Sequence, residues 1–144
     1  MGTPPPLPLK PPPSPAPQGP EDIRVGPVFR DIVLVFVLTA AGGCIVGAWK
    51  SSTAADARTA VIALGISNLL MGTIAFTIAG CLAPRRRWPH LATVAAGSWM
   101  LNFLTVILFG YTVMQWLSTS IWVAMVMGLG GAISYLWRPK DRVV

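Results

Sequence analysis

Four apolar stretches, residues 32–49, 59–83, 91–111 and 118–137, dominate this chain, and only short polar connections separate them. As helices rising about 1.5 Å per residue, each is long enough to cross a hydrocarbon core of about 30 Å. The rest of the composition leaves no soluble alternative. Of 144 residues, 53% are hydrophobic and 11% charged, whereas a soluble domain carries about 25% charged residues to clothe its core. The expected fold is therefore an all-α membrane protein, four transmembrane helices in an antiparallel bundle over residues 28–144. A disordered, proline-rich cytoplasmic tail and juxtamembrane junction over residues 1–27 precede it.

The net charge of +6 does not point to nucleic acid, because the basic residues fall between the apolar stretches rather than along one face. Three precede the first stretch (Lys10, Arg24, Arg30), two follow it (Lys50, Arg58), three form the loop Arg85-Arg86-Arg87, and three end the chain (Arg138, Lys140, Arg142). Alternate sides thus hold nine and two. The positive-inside rule then places both termini and the triple-arginine loop in the cytoplasm, in the inner or plasma membrane if the chain is bacterial. Trp49, Trp88, Trp116 and Trp137 fall near the expected span ends, where amphipathic rings prefer the headgroup level. Cys44 and Cys81 lie at depths too different for a disulfide.

Ten of the first twenty residues are proline, which excludes helix and sheet and favours a polyproline II tail. Within it Pro5, Leu7, Pro8 and Lys10 match the spacing accepted by proline-recognising grooves, so a cytoplasmic partner of that kind is one reading. A stiff spacer is the other.

Small and polar residues recur inside the spans at steps of three and four. They are Ala40, Gly43 and Gly47 in the first; Gly65, Asn68, Gly72, Ala75 and Ala79 in the second; Ala95, Ser98, Asn102 and Thr105 in the third; and Ala124, Gly128, Gly131 and Ala132 in the fourth. In lipid, helices associate through close backbone approach at such residues and through interhelical hydrogen bonds. The stripes are accordingly expected to be packing seams with left-handed crossings. Asn68 and Asn102 stand equally far from Arg85 on the two arms of the second hairpin, which predicts a shared depth and a common interior.

No acidic, basic or histidine residue lies well inside a span, Asp31 and His90 standing only at the edges. No set of residues suggests a catalytic centre, a cofactor site or a metal site. The triple arginine reads as a topology signal and His90 as an interfacial residue. These features favour a non-enzymatic accessory, assembly or scaffold subunit that pairs with itself, as a homo-oligomer, or with another membrane protein, the bilayer being its other partner. The alternative is a homo-oligomeric transporter or channel for an uncharged or weakly polar solute, with Asn68, Thr73, Thr77, Ser98, Asn102, Thr105 and Ser134 lining a path.

Overall fold

The computed structural model describes residues 25–53, 56–83 and 86–137, apart from the side chains of Thr105 and Phe109. The tail motif Pro5, Leu7, Pro8 and Lys10, and Arg85 in the basic loop, lie outside the described residues. All regular structure among the described residues is helical: α1 (Val25–Thr53), α2 (Ala57–Leu82), α3 (Arg87–Leu101), α4 (Phe103–Phe109) and α5 (Val113–Trp137). With α3 and α4 taken as one span, four helices are long and apolar enough to cross a membrane, which marks the chain as an integral multi-pass membrane protein.

Helix ends depart from the expected spans where capping chemistry outweighs hydropathy. The first helix begins at Val25 rather than at residue 32, so the junction to the tail is helical to within the expected tail segment. Pro27 in its first turn is tolerated there because it has no intrahelical donor to lose. Asp56 caps α2 by accepting the Thr59 N–H at 3.0 Å. The last helix starts at Val113 instead of residue 118 through a capping box. In it Thr112 Oγ1 accepts the Gln115 N–H at 3.2 Å, and Gln115 Oε1 accepts the Thr112 N–H at 2.9 Å. The third span is interrupted for one residue at Asn102, whose N–H bonds the Ser98 carbonyl. Gly110, at φ 69°, then ends α4 in the left-handed conformation that glycine adopts without strain.

The helices form a ring in the order α1, α2, α5, α3, closed by α3 against α1. The α2–α5 contact is the most extensive, α2 meets α3 across the centre more sparingly, and α1 does not touch α5. Phe76, Leu91, Val94, Ala75 and Ala79 fill the core.

Glycine notches set the α2–α5 seam. A methyl group at Gly72 would come within 3.3 Å of Val126; one at Gly130 would lie 2.6 Å from Phe76 Cβ and 2.7 Å from the Thr73 carbonyl oxygen; one at Gly80 would lie 2.5 Å from Ser134 Oγ. Positions 72, 76 and 80 thus meet 126, 130 and 134 in order, each glycine receiving the side chain opposite. This seam repeats in steps of four, where the sequence pattern suggested alternating threes and fours. On α1 the close approach is at Gly42, against Ser67 and Met71, one residue from the expected Gly43.

Candidate functional site

Charged side chains gather where α1 and α3 begin and α2 and α5 end. Asp31 lies on the α1 stripe Val28, Asp31, Val35 and is wholly buried at 0% exposure. With its proton on Nε2, His90 of α3 donates to Asp31 Oδ2 at 2.7 Å, and Arg30 Nε donates to Asp31 Oδ1 at 2.7 Å. The two donors occupy both carboxylate oxygens. His90 is itself buried, while the Arg30 side chain is 52% exposed and reaches outward.

Arg87 is the second buried charge, at 3% exposure. Its Nη1 donates to the Ser134 carbonyl at 2.9 Å, and its guanidinium carbon lies 4.4 Å from the centroid of the Tyr135 ring. Ser134 is in the last turn of α5, whose carbonyls have no donor within the helix and form the negative end of its dipole. Arg87 therefore neutralises a helix terminus and bonds an orphan acceptor in one contact. Ser134 Oγ turns back to the Gly131 carbonyl at 2.7 Å, and Cys81 Sγ approaches the Ser134 carbonyl at 4.0 Å.

The cluster joins helices. Asp31 and His90 tie α1 to α3, and Arg87 ties α3 to α5. Beyond it, Thr73 Oγ1 and Ser98 Oγ are buried without a hydrogen-bond partner. Ser98 lies on the same face of α3 as Val94 and Leu91. Further along α3, Trp99 and Trp116 stack with centroids 4.0 Å apart and exchange hydrogen bonds, each indole N–H donating to the other's backbone carbonyl at 3.3 and 3.1 Å. Comparison with protein-family models, characterised proteins and solved structures returns no match. No His, Cys, Asp and Glu grouping among the described residues could hold a metal ion.

The expected packing residues divide into two groups. Gly72, Gly131 and Ser98 are buried at helix contacts, Gly131 against Trp88 and Leu91. Gly43 touches only Leu64 at van der Waals distance, and a methyl group at Gly47, Gly65 or Gly128 would meet nothing within 4 Å. Asn68 is exposed and makes no hydrogen bond with a described residue, so it does not pair with Asn102, which is half-buried at the break between α3 and α4. The two helices lie across the ring from each other, each flanked by α1 and α5. Of the basic loop, Arg86 is exposed while Arg87 is folded into the bundle.

Sequence reasoning missed the pairing of Asp31 with His90, because each was placed at a span edge and assigned to the interface. A signal was nonetheless present. Val28, Asp31, Val35, Leu38 and Gly42 form one helical stripe, visible once α1 is begun before residue 32.

Proposed function

We propose that this protein is a non-enzymatic membrane subunit, an accessory, assembly or scaffold component, built as a four-helix bundle whose successive spans alternate in direction. In this reading the charged end, both termini and the basic loop lie in the cytoplasm, where the proline-rich tail reaches for a partner. The carrying observation is the division of labour among its special residues. Asp31, His90 and Arg87 are engaged in holding helices together, while Gly47 is exposed and a methyl group there would meet nothing within 4 Å, leaving its backbone available to a helix from outside. In support of the alternating direction, α1 and α3 begin at the end where α2 and α5 finish.

Native purification of the full chain beside a form lacking residues 2–20 tests this reading. A stoichiometric protein partner is expected, and its loss with the tail would make Pro5 to Lys10 the docking segment. For orientation, a cysteine at Ser52 is expected to react with an impermeant maleimide on intact cells and one at Arg86 is not; the reverse would overturn the assignment.

The buried, partnerless hydroxyls of Thr73 and Ser98 favour a second reading, a homo-oligomeric path for an uncharged or weakly polar solute. Solute flux into liposomes holding the purified protein distinguishes it from the first.

A further inference from the structure

The ring of helices is tight at the charged end and parts toward the other. Among the described residues α4 packs on α3 and α5 but on neither α1 nor α2, so beyond the break at Asn102 the third span leaves the first two helices. Burial follows the same division. Ala75, Phe76, Ala79, Leu91 and Val94 are at most 1% exposed, whereas no residue of α2 from Val61 to Met71 is buried.

Asn68 stands where the ring parts. It falls on one helical stripe with Ala75 and Ala79, both wholly buried. To one side of that stripe Ser67 and Met71 meet Gly42 of α1, and to the other Phe76 meets Gly130 of α5. Asn68 therefore faces between α1 and α5 into the bundle, opposite the outward Ile66, Leu70 and Ile74. Yet it is exposed and has no hydrogen-bond partner among the described residues. An inward residue that solvent reaches marks an open space within the ring. Gly65, one turn nearer the parted end, has no atom within 4 Å of where a methyl group would stand. From across the ring α3 turns Ser98 inward on the face of Leu91 and Val94; Ser98 is 8% exposed and its hydroxyl is buried without a partner.

Lipid chains offer neither donors nor acceptors, so they are a costly filling for a space walled by Asn68 and floored near Ser98. A carboxamide presents donors and an acceptor together, and a hydroxyl presents both as well. The matching contents are water and small uncharged molecules that carry both functions. A charged solute finds no counter-charge there, because Asp31, His90 and Arg87 lie beyond the apolar layer of Phe76, Leu91 and Val94.

We infer that the α1–α2 and α4–α5 pairs enclose a vestibule that holds water and binds a small uncharged solute of the primary-amide type at Asn68. It opens at the end away from Asp31 and is closed by Phe76, Leu91 and Val94. This goes beyond both readings above, since a vestibule closed at one end serves a scaffold as well as a transporter.

The test uses the full chain carrying Cys44→Ala and Cys81→Ala, reconstituted in phosphatidylcholine vesicles with a trimethylammonium methanethiosulfonate reagent on both sides. Asn68→Cys and Gly65→Cys are expected to react about a hundred-fold faster than Leu70→Cys, which faces lipid, and Ala75→Cys, which lies in the packed core, because the reagent is charged and only the thiolate attacks it. With Asn68 retained, acetamide is expected to slow the labelling of Gly65→Cys several-fold, and adding Asn68→Leu to abolish that protection. Near-ultraviolet circular dichroism of the stacked Trp99–Trp116 pair reports whether each variant keeps the fold. Labelling of Asn68→Cys no faster than that of Leu70→Cys, with the tryptophan signal intact, would overturn the vestibule. Equally fast labelling of Ala75→Cys would remove its floor, and labelling indifferent to acetamide would remove its solute; either result refutes the inference.

Discussion

His90→Leu is the perturbation that most directly probes the charged end. At 2.7 Å and an effective dielectric constant of about 20, two unit charges attract by a gross amount of about 6 kcal/mol, the upper bound for this contact. Withdrawing both groups from water costs several kcal/mol per ion, so the intact pair adds little net stability. Removing one partner is a different matter. His90→Leu strands a wholly buried carboxylate with only Arg30 as donor, and Arg30 is half outside. Loss of one partner from a buried pair costs about 3–5 kcal/mol, and the remaining Arg30 bond should hold the loss to about 2–4 kcal/mol. Asp31→Leu should cost less, about 1–2 kcal/mol, because imidazole has an uncharged form and Arg30 can turn to water. The double variant should return to within about 1 kcal/mol of wild type, since two leucines strand no charge. Equilibrium unfolding in mixed micelles of a mild detergent and dodecyl sulfate at neutral pH measures all four proteins. Simple additivity of the two single losses would refute the reasoning, as would an Asp31→Leu loss larger than that of His90→Leu.

Other expectations are accessible to the same measurement. Gly130→Ala should lose about 1–3 kcal/mol, because the new methyl group meets the Thr73 carbonyl oxygen and the Thr77 nitrogen, backbone atoms that cannot rotate away. Gly128→Ala, which opens onto empty space, should be neutral or slightly stabilising. Trp99→Phe should remove one of the two indole hydrogen bonds, costing about 1 kcal/mol, and abolish the near-ultraviolet signal of the stacked pair. Hydrogen bonds from Thr59, its side chain first and then its backbone N–H, hold the Asp56 carboxyl below the ordinary carboxylate range. Its contribution to the start of α2 is therefore present above the unfolded-state value of about 3.9 and fades as the pH falls through the lower folded value. Amide exchange at Thr59 should be faster in Asp56→Ala than in wild type at neutral pH, and the difference should close under acid.

Hydropathy alone located all four membrane helices, because lipid demands long apolar runs and the chain has four. Their starts were less legible where capping decided them. Thr112-Val113-Met114-Gln115 is a capping box readable in the sequence, but it lies in a stretch too polar to be counted within a span. The seam was legible in kind and misplaced in register. Gly72, Ala75 and Ala79 lie in it, while a methyl group at Gly47, Gly65 or Gly128, which share the same spacing, would meet nothing within 4 Å. Small residues at helical intervals mark a face suited to packing without saying whether the chain itself supplies the other half. The charged end was hidden for a further reason. Asp31 and His90 are 59 residues apart, and their meeting follows from α3 lying against α1, an adjacency that no local pattern encodes.

Because α2 fits most closely against the last helix and Asp31 finds its second partner, beside Arg30, only in the third, the order in which the ribosome delivers the chain leaves both unfinished for a time. While α1 and α2 are alone in the bilayer, the notches at Gly72 and Gly80 face lipid and Asp31 has no imidazole. The arrival of α3 settles the carboxylate, and only α5 closes the notches, with Val126 and Ser134 entering in register and Phe76 seating against Gly130. A nascent chain arrested before residue 113 should therefore be inserted but loosely held, and its sensitivity to membrane proteases should fall when α5 is released.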